Sequence, residues 1–274
     1  MAQHRAKIAD GCVQSSDVAR NMHGFCTQSD FLPQNEPRER PATPGITRRY
    51  DPAAMHDYQR QLIDFMVEAG VLTFGDFTTK SGRKTPYFVN TGKYRSGSQL
   101  ARLGRAYADA IERSFPAGFD CLFGPAYKGI PLVVAVSMAF AERGREVEFC
   151  FNRKEAKDHG EGGLLVGRPL KDGDRVLIVE DVTTAGTSIR ETVPLLRAAA
   201  KIQLAGLVVS VDRQERASDA STPSALAEVG AEFAMPTAAI VTIDEVVEHL
   251  GTRLTDADRA RIAAYRAQYG AHGA

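Results

Sequence analysis

The chain has 274 residues, 43% of them hydrophobic, enough for one large domain or two small ones. Lys+Arg and Asp+Glu balance at 34 each, which excludes a global field for nucleic acid or a membrane surface. No apolar run reaches the roughly 18 residues of a membrane span.

Residues 1–54 mix Gln, Asn, Ser, Pro and charge without periodicity and are expected to form a disordered N-terminal extension. The stretch has no apolar signal-peptide core and carries scattered acids, so it fits neither a secretory nor a transit peptide. Met55 directly precedes the first periodic helix, and one expectation is that the tail lies upstream of the true start. The four cysteines (Cys12, Cys26, Cys121, Cys150) lack CxxC spacing. Cys121 and Cys150 lie in apolar runs and read as small buried thiols of a reducing, cytoplasmic setting.

From Tyr58 to Gly70, Leu62, Phe65, Met66 and Ala69 mark one helical face, closed by a glycine. Residues 71–92 read as strand, basic turn (Lys80 to Lys84) and strand, a hairpin suited to a small cap. A helix follows from about Ser98 to Arg113, then a strand at Asp120–Gly124 and an apolar helix from Ile130 to Glu142. Glu146–Asn152 is the next strand, running into a charged, glycine-rich segment, 153–163, read as a mobile loop. Val176–Val179 is a buried strand, and a turn leads from it to a helix near Ser188, where Pro194 predicts a kink or a displaced start. Strands at Leu204–Val211 and Ala239–Ile243 and a helix at Leu254–Tyr269 complete an α/β chain with a mainly parallel sheet covered on both faces.

Three strand ends carry chemistry. After Val179 stand Glu180 and Asp181, then Val182 and the turn Thr183-Thr184-Ala185-Gly186-Thr187 before Ser188. Hydroxyls, backbone N–H groups and one glycine at a helix start suit a phosphate, whereas the acidic pair would repel it and must serve sugar hydroxyls or a cation. A phosphorylated sugar with a metal nearby answers to both. Gly124-Pro-Ala-Tyr127-Lys128-Gly129 offers a close backbone and a point charge, although such a turn is often only a solvated bend. Arg153, Lys154, Lys157 and His159 fall within seven positions; a solvated face competes with a lid of cations over an anionic substrate. His56 and His249 have no such context and read as surface or structural.

These motifs, with 74–88, Phe123–Pro131, Asn152–Gly163 and Asp212-Arg-Gln-Glu-Arg216, resemble the orotate phosphoribosyltransferases of the type I phosphoribosyltransferase family over about residues 55–269. The resemblance implies that family's fold over 55–274: a parallel-sheet core at about 96–270 and a small N-terminal hood at 55–95 containing the hairpin. It implies transfer of the phosphoribosyl group of phosphoribosyl pyrophosphate (PRPP) to N1 of orotate, with Mg²⁺ held mainly by PRPP and water and no direct protein metal ligand. It also implies a homodimer whose lid loop 153–163 crosses to the neighbouring subunit, with no nucleic-acid or membrane partner. PRPP would meet Lys80, Tyr127, Lys128, Arg153, Lys154, Lys157, His159 and the whole run Glu180–Ser188. Glu180 stands where the family often has Asp. Orotate would meet Tyr87, Phe88, Thr184 and Arg213, and Lys157, His159 and Asp181 would stand closest to catalysis. An unusual backbone geometry is expected near Ala126-Tyr127. Enzymes for other bases, or a PRPP-sensing regulator on the same fold, are the rival readings.

Overall fold

The computed structural model describes residues 55–78, 82–157, 163–218 and 221–271, with only the backbone for Ala156, Lys157 and Gly163. The expected disorder of 1–54, and the assignments to Lys80 and His159, lie outside the described residues. Helix α1 (Asp57–Glu68) buries Leu62, Ile63, Phe65 and Met66 and ends before Gly70, whose φ of 65° a side-chain-bearing residue rarely adopts. Strands β1 (Leu72–Thr78) and β2 (Lys84–Val89) pair antiparallel as a separate two-stranded sheet, the expected hairpin.

The core sheet contains β3 (Cys121–Gly124), β4 (Glu148–Lys157), β5 (Gly163–Gly167), β6 (Arg175–Val179), β7 (Gln203–Asp212) and β8 (Thr237–Thr242), in the order β5-β4-β3-β6-β7-β8. All neighbours are parallel except β4 and β5. Successive strand side chains point to opposite faces. Leu122, Leu177, Val179 and Val208 accordingly join a core with α1, α2 (Gly97–Ser114) and α3 (Gly129–Glu142). Cys121, Phe123, Val176 and Ile178 join the opposite core with α4 (Thr187–Ala199) and α5 (Ala225–Phe233). Gly104 lets α2 approach α3, since a Cβ there would lie 2.3 Å from the Ala135 carbonyl oxygen.

The expected loop at 153–163 is shorter than the sequence suggests. Charge and glycine argue against a strand, but Asn152 pairs with Leu165 and Lys157 with Gly163, so β4 and β5 form an antiparallel ribbon on both sides of 158–162. Backbone pairing to an apolar partner outweighs composition there. Helix α4 runs through Pro194 with its start undisplaced at Thr187. Two helices have no counterpart in the sequence reading, α5 and α6 (Ile243–Leu250). Ser224 caps the first, and the second opens with a capping box of Thr242 and Glu245. The closing helix α7 (Asp256–Tyr269) packs against β2, tying the chain's end to the hairpin.

Candidate active site

The acidic turn follows the central strand β6, where open α/β sheets place their ligands. The Tyr107 hydroxyl donates to the Glu180 carbonyl at 2.7 Å, and Ser210 donates to the Asp181 carbonyl through its backbone N–H (2.9 Å) and hydroxyl (2.6 Å). This fixes the backbone from which both carboxylates project. Asp181 Oδ2 accepts from Thr91 Oγ1 at 2.6 Å and from Lys128 Nζ at 2.9 Å. Burial pushes the Asp181 carboxyl up, but the bonds from Thr91 and Lys128 outweigh it and the net shift is downward, so Asp181 is ionised at neutral pH.

Glu180 turns inward instead. One of its oxygens accepts from Asp181 N–H at 3.0 Å and the other from Ser188 Oγ at 2.6 Å, so it braces the turn from beneath. Burial, reinforced by the Asp181 charge, raises its carboxyl to about 7. A carboxyl raised by folding holds a proton that the unfolded chain has lost, so its contribution to stability is present at low pH and fades as pH rises through about 7. Urea unfolding at pH 5 to 8 is expected to show wild type losing on the order of 2–3 kcal/mol relative to Glu180→Gln over that range.

The turn itself is open. Thr184, Ala185, Thr187 and Ser188 are exposed while Thr183 and Gly186 are buried. Gly186 caps α4 with φ 72° and no side-chain bond, leaving the first backbone N–H groups of the helix for an anion. A Cβ on Gly186 would lie 2.4 Å from Val229 Cγ2. Gly186→Ala is therefore expected to lower the melting temperature by about 3–8 °C and to raise the KM for a 5′-phosphorylated substrate about tenfold or more, as measured by thermal unfolding and steady-state kinetics.

The second strand end, after β3, is built for close approach. A Cβ on Gly124 would lie 2.2 Å from the Gly129 carbonyl, and Ala126 N–H donates to Asn152 Oδ1 at 2.8 Å. The Ala126-Tyr127 peptide is cis, the unusual geometry expected there, and Tyr127 is exposed. Arg153 and Lys154 extend along β4 at the rim.

The base-side residues depart from expectation. Tyr87 is fully buried and its hydroxyl donates to Glu215 at 2.7 Å, so its ring is core rather than a ligand surface. Phe88, on the opposite face, is 38% exposed. Arg213 does not present an open fork: Nη2 lies 2.7 Å from Glu215 Oε1, Nε donates to the same oxygen at 2.9 Å, and the guanidinium stacks over Tyr87 at 5.0 Å. Only Nη1 has no partner among the described residues. Val182 bridges to Val211, so Arg213 stands one strand away from the acidic turn. Thr91, Tyr107 and Ser210 support the site from outside every motif, and their sequence contexts carry no signal of it; Asn152 opens a motif, but nothing in that motif signals its bond to Ala126.

Among the described residues no three His, Cys, Asp or Glu side chains gather to hold a metal ion, and no helix is long and apolar enough to cross a membrane.

Residues 90–229 match the family model of the phosphoribosyl transferase domain. The chain is 56% identical over 225 residues to an orotate phosphoribosyltransferase of Clostridium beijerinckii, covering 79% of this chain and all of that protein. Identity to the enzyme of that name from Nitrosococcus oceani is 51% over 218 residues, covering 79% of this chain and 97% of that protein. The crystal structure of the orotate phosphoribosyltransferase of Francisella tularensis superposes with a TM-score of 0.69 at 38% identity, covering 77% of this chain and all of that one. With the fold and the sequence shared over this length, the chain belongs to the orotate phosphoribosyltransferases and has the type I phosphoribosyltransferase fold.

Proposed function

We propose that the chain transfers the 5-phosphoribosyl group of PRPP to N1 of orotate, giving orotidine 5′-monophosphate and pyrophosphate in pyrimidine biosynthesis. The observation that carries the reading is the joining of an uncapped helix start at Gly186 to an ionised Asp181 on the same strand end. The helix start takes the 5′-phosphate and Asp181 the ribose hydroxyls, with Glu180 bracing the turn between them. Lys128, paired with Asp181 in the free protein, is positioned to move to the pyrophosphate when the sugar arrives.

As the C1–O bond to pyrophosphate breaks and N1 attacks, positive charge develops on the ribose and negative charge on the leaving group. Lys128, Arg153, Lys154 and the lid residues Lys157 and His159 meet the growing negative charge, and the closed lid keeps water from C1. Mg²⁺ would neutralise part of the pyrophosphate charge. The residues fit a cation carried on substrate oxygens and water, because Glu180 is protonated up to about pH 7 and Asp181 is the one ionised carboxylate of the turn. Orotate fits against Phe88, Thr184 and the Nη1 edge of Arg213, and Lys80 is assigned to PRPP.

The working unit on this reading is a cytoplasmic homodimer whose lid serves the partner's site. Support comes from an apolar groove between α2 and α3, lined by Leu100, Ala101, Pro131, Val134 and Met138, where Met138 is 60% exposed. The two free, buried cysteines, Cys121 and Cys150, suit a reducing compartment. Assaying PRPP and Mg²⁺ with orotate, uracil, hypoxanthine or adenine tests the base assignment. Pyrophosphate release with orotate alone is expected; release with a purine instead would overturn it.

A further inference from the structure

One buried carboxylate joins the base-side arginine to the hairpin. In the segment Asp212–Arg216, Asp212 and Gln214 secure the backbone from behind: Asp212 Oδ1 accepts from Gln214 N–H at 2.8 Å, and Gln214 Oε1 accepts from Asp244 N–H at 3.1 Å. Gln214 takes a left-handed φ of 50°, a conformation held by these bonds. The intervening side chains, Arg213 and Glu215, are thereby presented together to the hairpin. Glu215 Oε1 accepts from Tyr87 Oη at 2.7 Å and from Arg213 Nε at 2.9 Å, while Oε2 lies 3.6 Å from Arg83 Nη1. The Arg213 Nη2 group reaches Thr85 Oγ1 at 3.3 Å, and Thr85 in turn donates to the Tyr87 carbonyl at 3.0 Å. Tyr87 packs edge-on against Tyr265 of α7, and Arg83 lies over Tyr269 of the same helix.

We propose that Glu215 is a positioning residue for the base subsite, holding the Arg213 guanidinium in one orientation and fastening strand β2 to it through Tyr87 and Arg83. The pairing commits Nε and Nη2 and leaves Nη1 as the donor edge, so the arginine meets the base already aimed and needs no ordering on binding. One carboxylate against two guanidiniums leaves net positive charge at this junction, which suits an anionic planar base. The phosphate turn and Asp181 make none of these contacts, so the effect of Glu215 falls on the base and not on the sugar. This inference rests on the reading that orotate lies beside Arg213.

Glu215→Gln preserves size and an acceptor for Tyr87 but removes the charge that orients Arg213. It is expected to raise the KM for orotate about tenfold while the KM for PRPP changes less than about twofold, with the circular dichroism spectrum retained. Tyr87→Phe removes one strand of the latch and leaves the Arg213–Glu215 pair intact, so the expected rise is smaller, about two- to fivefold, again for orotate alone. The double variant is expected to be little worse than Glu215→Gln, because both changes open one latch. Equal shifts in both KM values, an unchanged KM for orotate, or fully additive losses in the double variant would overturn the proposal. Should Glu215→Gln fail to fold, Tyr87→Phe decides: a selective rise supports the latch, and unchanged kinetics overturn it. Wild-type protein that consumes no orotate would identify the base reading itself as the failure.

Discussion

Replacing Asp181 with Asn is expected to lower kcat/KM for PRPP by about 10²- to 10³-fold with little change in melting temperature. The carboxylate is held at 2.6 Å by Thr91 and at 2.9 Å by Lys128, on a backbone clamped by Tyr107 and Ser210, so its direction is set before substrate arrives. Charge-assisted hydrogen bonds contribute about 1.5–3 kcal/mol each, and a carboxylate receiving ribose hydroxyls makes such bonds where an amide cannot. Asn keeps the size and one acceptor oxygen, so the loss reads the charge and not the packing. It also releases Lys128 from its ion pair, which changes where that cation rests in the free protein. Steady-state kinetics with PRPP varied, alongside thermal unfolding, checks this. A loss under about fivefold would remove Asp181 from the ribose contact.

Lys157→Ala is expected to lower kcat by about 10³-fold while leaving the KM for PRPP within a few-fold of wild type. A cation that meets charge appearing only as pyrophosphate departs affects the transition state more than the bound substrate. Position 157 ends β4, where it pairs with Gly163 of β5. Co-refolding Lys157→Ala chains with Asp181→Asn chains tests whether the lid crosses between subunits. In the mixed dimer one site combines an intact acidic turn with an intact lid, and random pairing would restore about a quarter of wild-type activity. Activity no greater than that of the separate variants would contradict the crossing.

Much of the site was legible because its chemistry is local. The β-branched run of β6, the carboxylates at its end and the single glycine of the turn lie within thirteen consecutive residues, Val176–Ser188, and chain connectivity alone assembles them. The alternation of β2 likewise sends Tyr87 and Phe88 to opposite faces, and the structure resolves the choice by burying the first against Tyr265. What sequence could not show is partnership over distance. Thr91 reaches Asp181 across 90 positions and Tyr107 reaches the Glu180 carbonyl across 73. Arg213 looks like an open fork until the fold seals it against Glu215 and Tyr87. Glycine and charge in 153–163 argued for a loop, and only the pairing with Leu165 and Gly163 reveals the ribbon. The caps at Ser224 and Thr242, by contrast, are ordinary helix-start signals that could have announced α5 and α6.

One site is to take both the sugar phosphate and the base, and product analysis tests that most directly. Purified protein with PRPP, Mg²⁺ and orotate is predicted to release one pyrophosphate for each orotate consumed and to accumulate a ribosyl 5′-monophosphate linked through N1, identified by NMR. PRPP hydrolysed at the same rate with or without orotate, or a product linked elsewhere on the ring, would contradict it.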